Sequence, residues 1–235
     1  MHQCVDKYSV REFVKSKGLE HTLVELYGKY SSVEEIDVSQ LPDKFVMKTT
    51  NGGGGNNVVL CSDKSKFDIN SVREQLHSTK IKSRTAGREW AYYGLEPGII
   101  VEELLINKHN PEAGVNDYKI FCYNGVPEYI IVDTDRYIGH KRNFYDTKWN
   151  NLNITSDCPS TDSTIPKPEA LDDMLKIAAK LSEDFPFVRV DLYNQDEKIY
   201  FGELTFYPWS GYVQFEPDSV DYILGEKFIL PKTSK

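Results

Sequence analysis

The sequence predicts an α+β fold built on antiparallel sheets, and three observations carry that reading. Strand-like runs join as hairpins, at Asn124-Gly125 and around Asn194-Gln195-Asp196-Glu197. Strands and helices alternate without the strict rhythm of a parallel βαβ sheet. The chain has 235 residues, 40% of them hydrophobic, which suffices for one large or two small domains with a sizeable core.

In chain order, residues 4–17 predict a helix with Val5, Tyr8, Val10, Phe13 and Val14 as apolar positions and Gly18 as its stop. Residues 23–30 fit helix or strand. Residues 44–50 and 57–61 are rich in β-branched and apolar side chains and predict strands around Asn51-Gly52-Gly53-Gly54-Gly55-Asn56. Residues 69–78 predict a helix, and 98–105 a buried strand running into Glu102 and Glu103. Residues 118–123 and 128–132 flank the Asn124-Gly125 turn. No clear period runs through 134–167; a stretch so long and so aromatic reads as functional rather than disordered. Pro168 opens a helix to about residue 184, with Leu171, Met174, Leu175, Ala178 and Leu181 on one core-facing stripe.

Composition removes several function classes. A net charge of −8 argues against a general nucleic-acid binder. No apolar run reaches the length of a membrane span. Met1-His2-Gln3-Cys4-Val5-Asp6 has no basic stretch leading into an apolar one, so no secretory signal is visible. Cys4, Cys61, Cys122 and Cys158 are widely spaced and form no CxxC, which points to a reducing cytoplasm.

Two acids interrupt otherwise apolar strands near the C-terminus. Phe187-Val188-Arg189-Val190-Asp191-Leu192-Tyr193 and Ile199-Tyr200-Phe201-Gly202-Glu203-Leu204-Thr205 form a hairpin. A loop over 194–198 would pair Asp191 with Phe201 and Arg189 with Glu203. It leaves Asp191 and Glu203 on one face, a diagonal step of roughly 7–8 Å apart. A one-residue slip would send the acids to opposite faces. The hairpin is either a solvated edge with an Arg189–Glu203 ion pair or a site where two carboxylates meet a divalent cation.

The four glycines give a strand–loop–strand hairpin whose N–H groups can approach phosphate oxygens closely. Neither GxxxxGK[ST] nor a dinucleotide fingerprint is present. Lys48, three residues before the loop in an apolar strand, calls for an anionic partner such as a phosphate. The alternative is a surface hairpin with a solvated lysine.

Taken together these parts resemble the ATP-grasp superfamily, and within it the TupA-like ATP-grasp family, which is associated with bacterial cell-surface polysaccharide synthesis. The segments that carry the resemblance are Asp6-Lys7-Tyr8-Ser9-Val10-Arg11, Phe45-Val46-Met47-Lys48, Gly87-Arg88-Glu89-Trp90, Asp117-Tyr118-Lys119, Arg142-Asn143-Phe144-Tyr145-Asp146, and 185–191 with 202–206. They span nearly the whole chain.

The resemblance implies two α+β subdomains that clamp ATP, with residues 1–43 as a shortened N-terminal helical segment, 44–105 as lid and hinge, and 106–235 as the catalytic subdomain. Lys48, with Gly52, Gly53, Gly54 and Gly55, would contact the phosphates. Glu102, Glu103 and Leu104 would meet adenine and ribose, and Lys119 the nucleotide. Asp191 and Glu203 would bind Mg²⁺, with a hydroxyl, Thr205, where many ATP-grasp ligases place Asn. Arg189 and Lys48 would act in catalysis. Arg136, His140, Arg142 and Asn143 would receive the acid substrate. Tyr145, Trp149, Tyr207, Trp209 and Tyr212 are candidates to stack on a sugar ring.

The implied activity is ATP- and Mg²⁺-dependent joining of a uronic acid to an amine, with glycosyltransferases as associated proteins. Two other readings remain open at this point: a sugar or alcohol kinase on the same fold, and a nucleotide- or glycan-binding module without catalysis.

Overall fold

The computed structural model describes residues 1–52, 57–77 and 89–229. The chain divides into two compact units. The first holds residues 1–16 and 23–104; the second holds 17–22 and the chain from 105 onward.

The first unit is built on a four-stranded sheet in the order β1-β4-β2-β3, from Leu26–Tyr30 (β1), Phe45–Thr49 (β2), Val58–Cys61 (β3) and Ile99–Glu102 (β4). All its neighbours are antiparallel. Residues 23–30, open between helix and strand in sequence, thus contain an edge strand. Phe45, Met47, Val59, Cys61, Ile99 and Val101 share one face and close a core with Leu76 of the helix Ile69–His77 (α3). The opposite face carries Val46, Lys48, Ile100 and Glu102, since Val46 pairs with Glu102 and Lys48 with Ile100.

The single helix expected over 4–17 is broken into His2–Val5 (α1) and Val10–Ser16 (α2). Asp6 causes the break. Its backbone is extended (φ −87°, ψ 125°), and its Oδ1 accepts hydrogen bonds from the N–H groups of Tyr8 (3.0 Å) and Ser9 (2.8 Å). An aspartate that caps so well starts a new helix instead of continuing the old one. Gly18, at φ +67°, follows the end of α2.

The second unit is a five-stranded antiparallel sheet in the order β7-β6-β5-β8-β9. Its strands are Asp117–Tyr123 (β5), Val126–Thr134 (β6), Lys141–Asp146 (β7), Phe187–Gln195 (β8) and Lys198–Thr205 (β9). Helix Leu171–Ser182 (α4) packs on β5, β6 and β8. The Cys122 Sγ lies 3.9 Å from the Ala178 carbonyl, so the face of Ile120, Cys122, Val190 and Leu192 is the one α4 covers. A short helix, Ser219–Glu226 (α5), lies near the end of the described residues.

The expected turn at Asn124-Gly125 is present, with φ +50° and +80°, which joins β5 to β6 in two residues. The stretch 134–167 is not without regular structure, because β7 lies inside it. The strand hides from a period-two search because Arg142 and Asn143 are adjacent, both polar and both buried, one toward each face.

The β8–β9 register differs from the expected one. The turn is only Asp196-Glu197, both at positive φ (+52° and +66°), with Gln195 paired to Lys198. Continued unbroken, that register would set Asp191 opposite Gly202 and turn Glu203 to the far face. A bulge intervenes: Leu192 pairs with Phe201, but Asp191 pairs with Glu203, leaving Gly202 as the extra residue. A Cβ on Gly202 would stand 3.0 Å from the Asp191 carbonyl and 3.1 Å from the Tyr193 ring, so any larger residue there would crowd both. The acids share a face as expected, but directly opposite each other, and Arg189 faces Thr205.

Candidate active site

The sheet face of the second unit turned away from α4 is divided. One half is apolar, with Phe121, Tyr123, Ile131 and Phe144 packed against Trp209 and Phe215. The other half is a layer of buried charge. Asp117 and Lys119 come from β5, Asp133 from β6, Arg142 from β7, Arg189 and Asp191 from β8.

The layer is an alternating chain of opposite charges. Arg136 Nη1 donates to Asp117 Oδ2 at 3.0 Å, and Asp117 Oδ2 also accepts from Lys119. Lys119 Nζ donates in turn to Asp191 Oδ2 at 3.0 Å. Arg189 grips Asp191 with two bonds of 2.7 Å, and its Nη2 reaches Glu203 Oε1 at 3.2 Å and Thr205 Oγ1 at 3.0 Å. The Thr205 hydroxyl donates to Glu203 Oε1 at 2.9 Å. Asp117 and Asp133 sit directly opposite each other on β5 and β6, and Lys119 lies between them, 3.8 Å from Asp133 Oδ2. Like charges so placed repel, and the lysine offsets that repulsion.

Arg142 forms a second group. Its Nε and Nη2 donate to the two oxygens of Asp133 at 2.6 and 3.0 Å, and its Nη1 donates to Asp157 at 2.6 Å. His140 Nε2 lies 3.3 Å from Asp133 Oδ1. Burial by itself would raise the Asp133 carboxyl, but the Arg142 hydrogen bonds and the Lys119 charge outweigh it and hold the group at about 2. Burial likewise opposes charge on Arg189, and Asp191, with Glu203, more than compensates and raises its pKa above the ordinary arginine value.

Trp209 borders both groups. Its ring centroid is 5.1 Å from the Arg142 guanidinium carbon and 5.9 Å from that of Arg189, within range of cation–π attraction. The indole is carried by the turn Pro208–Gly211, where Trp209 (φ +50°) and Ser210 (φ +54°) are left-handed. Non-glycine residues held so cost roughly 1 to 2 kcal/mol each, so the packing of Trp209 on Phe121 and Phe215 must offset strain.

In the first unit, Glu102 is the centre of a smaller set. Lys48 Nζ donates to its Oε2 at 3.0 Å, and Arg11 Nη1 to its Oε1 at 2.9 Å. Arg11 Nη2 also donates to the Val24 carbonyl at 2.8 Å. Lys7 bonds the Gly52 carbonyl through its Nζ, and its N–H donates to Thr50 O at 2.8 Å, so the Asp6–Arg11 segment braces the base of the glycine loop. Gly53, Gly54 and Gly55, like Gly87 and Arg88, lie outside the described residues. The Glu103 N–H donates to Glu25 O at 2.9 Å, just beyond the paired ends of β4 and β1, so that donor is engaged.

The residues singled out from sequence therefore separate. Asp191, Glu203, Thr205, Arg189 and Lys119 come together, and Arg136 adjoins them through Asp117. Lys119 is enclosed by carboxylates, a place for a structural cation. Arg142 has its donors spent on Asp133 and Asp157, and its side chain is 7% exposed against 34% for Arg136. Asn143 points to the other face, where its side chain holds the backbone of Thr161 at 3.1 Å in both directions. Tyr145 and Trp149 stack on each other, ring centroids 4.4 Å apart. Tyr212 is 78% exposed.

Asp133 and Asp157 were not singled out from sequence, and Arg11 was given no site role there. Asp133 ends the apolar run Tyr129-Ile130-Ile131-Val132, the same signature that drew attention to Asp191.

The donor set of Asp191, Glu203 and Thr205 is all hard oxygen, with two carboxylates face to face across neighbouring strands, and it suits Mg²⁺. Among the described residues, no three acid, histidine or cysteine side chains converge as a ready cation cage.

The TupA-like ATPgrasp family matches residues 1–229. The chain belongs to that family. Solved structures similar to the TupA-like chain include the D-alanine–D-alanine ligase from Coxiella burnetii, at 10% identity and TM-score 0.52, covering 94% of this chain and 56% of that one. The L-amino acid ligase from Bacillus licheniformis matches at 14% identity and TM-score 0.51, covering 89% and 44%. A biotin carboxylase complex from Campylobacter jejuni matches at 13% identity and TM-score 0.50, covering 97% and 47%. These likenesses establish the ATP-grasp fold. The chain spans about half the length of the solved structures it matches. No curated protein matches it. Among the described residues, no helix is long and apolar enough to cross a membrane.

Proposed function

We propose that this chain is an ATP- and Mg²⁺-dependent carboxylate–amine ligase acting on a uronic acid of a cell-surface polysaccharide or its precursor. The observation that carries the reading is the Asp191–Glu203 pair on one face with Arg189, inside a charge layer that ends at the half-exposed Arg136. Family membership supports the ATP chemistry, and the family's association with polysaccharide synthesis supports the substrate class.

Lys48 supplies positive charge for the nucleotide phosphates, and Glu102, shared with Arg11, fixes its position. Asp191, Glu203 and the Thr205 hydroxyl would hold the cation. A divalent cation held there would supply positive charge to the phosphate oxygens. Arg136, anchored on one side by Asp117, presents its remaining N–H groups to the substrate carboxylate. A carboxylate oxygen attacks the γ-phosphorus, the bond to the β-phosphate oxygen breaks, and ADP leaves. The amine nitrogen then attacks the acyl carbon, expels phosphate and loses a proton. Arg189 stabilises the charge spread over the transferring group. Tyr212 offers an exposed ring for a sugar.

The test is ADP release by the purified protein with glucuronic or galacturonic acid donors and a panel of amino acids and amino alcohols. Release that depends on both acid and amine, and is lost in Glu203→Gln, is expected. Release that ignores the amine makes the protein a kinase, and no release above the Glu203→Gln control overturns the ligase assignment.

A further inference from the structure

Arg189 occupies the place a cation would take. Its Nη2 lies 2.7 Å from Asp191 Oδ2 and 3.2 Å from Glu203 Oε1, so one nitrogen bridges the two carboxylates. The same nitrogen reaches the Thr205 hydroxyl at 3.0 Å, which makes all three oxygen donors its partners. Both oxygens of Asp191 are engaged, Oδ1 by Arg189 Nε and Oδ2 by Arg189 Nη2 and Lys119. A guanidinium and a divalent cation cannot share this position, because their charges repel and their volumes overlap.

We propose that Arg189 is the resident counter-cation of the Asp191–Glu203 pair and is exchanged for the divalent ion when that ion binds. The inference rests on the Mg²⁺ reading of the preceding section. Asp191 is buried and Glu203, 37% exposed at its side chain, faces it across adjacent strands, and two like charges so placed repel unless a positive charge lies between them. Arg189 provides it from within the chain, so the layer is neutralised before any ligand arrives. The guanidinium has a second partner already in place. The Trp209 ring, 5.9 Å from its Cζ and shared with Arg142 at 5.1 Å, is a π surface that can hold a guanidinium without hydrogen bonds. Lys119 stays on Asp117 and Asp191 throughout, so the carboxylate is never left alone. Metal affinity is set by a competition inside the protein, and the arginine that must act on the transferring phosphoryl group is released by the same event that loads the site.

Two measurements test this. Free Mn²⁺, followed by electron paramagnetic resonance, is titrated with wild type, Arg189→Gln, Arg189→Lys and Asp191→Asn. Arg189→Gln is expected to bind Mn²⁺ about tenfold tighter than wild type, as removal of a competing charge requires, and Asp191→Asn to bind it weakly or not at all. Equal or weaker binding by a folded Arg189→Gln overturns the proposal. In the wild type, Mg²⁺ is expected to change the indole fluorescence, with the change absent in Trp209→Phe. Fluorescence that is indifferent to saturating Mg²⁺ overturns the proposal even where Arg189→Gln fails to fold. Metal exchange with no ADP release leaves the exchange standing and overturns the ligase reading. No Mn²⁺ binding by any variant overturns both.

Discussion

Asp191 and Glu203 face each other directly across β8 and β9, with Gly202 bulged out of the ladder between Phe201 and Glu203. The two-residue turn at Asp196-Glu197 sets a register in which they would lie on opposite faces, and the bulge shifts it by one. Deleting Gly202 is therefore expected to spare the pairing of the two acids, whereas substituting it strains the bulge. The deletion removes the extra residue, so Glu203 follows Phe201 into the place opposite Asp191 in an unbroken ladder, and Mn²⁺ binding is expected to persist. Gly202→Ala keeps the register but crowds the Asp191 carbonyl and the Tyr193 ring, at a cost of about 1–3 kcal/mol. Urea denaturation and a Mn²⁺ titration of both variants check this.

Arg142 and Arg136 should part company under mutation. Removing Arg142 leaves the buried Asp133 without its guanidinium, and Arg142→Ala is expected to lose about 3–5 kcal/mol of stability. Arg136→Ala is expected to lose about 1 kcal/mol or less, because Lys119 still neutralises Asp117, while KM for the acid substrate rises. Urea midpoints and a KM series over the acid distinguish the two.

Acid stability follows from Asp133. Its folded carboxyl titrates at about 2, below the ordinary 3.8, so it favours the fold above pH 4. That contribution, about 2 kcal/mol, falls away as pH drops from 4 through 2. Urea midpoints over this range are expected to decline in wild type and to decline less in Asp133→Asn.

Lys48→Met is expected to raise KM for ATP about tenfold or more with little loss of stability, since Arg11 continues to pair with Glu102. Glu102→Ala should do the reverse damage, leaving two cations adjacent without an anion. Nucleotide titrations and thermal unfolding of the two variants test this contrast.

All four cysteines are free and buried, and burial raises the Cys122 thiol to about 12. A thiol reagent is expected to react slowly with the native protein and with all four groups after denaturation.

The strands were legible in the sequence wherever apolar alternation marked them, as in β5, β6 and β8. The shared face of the two acids was legible too, although its register was not. The turn length and the bulge each moved the pairing by one residue, and neither is visible in a hydrophobic pattern. β7 was hidden because charge is buried in it, and the break between α1 and α2 because a capping aspartate competed with helix continuity. The site residues were recognisable by type. What sequence withheld was which cations are already spent. Arg136 and Arg142 are alike in a basic stretch, and only Asp133 and Asp157, one on a neighbouring strand and one fifteen residues farther along the chain, set Arg142 apart by engaging its donors.

The alternating charges of the second unit also bear on how such a protein can change over evolutionary time. Losing one member strands a buried partner, whereas losing two neighbours together restores neutrality. Asp117 and Lys119, or Asp133 and Arg142, are thus expected to be replaced as couples in a descendant, the first change being tolerated only when the second is already present. Drift in this layer is confined to paired steps, and the half-exposed Arg136 is the member with the greatest freedom to change alone.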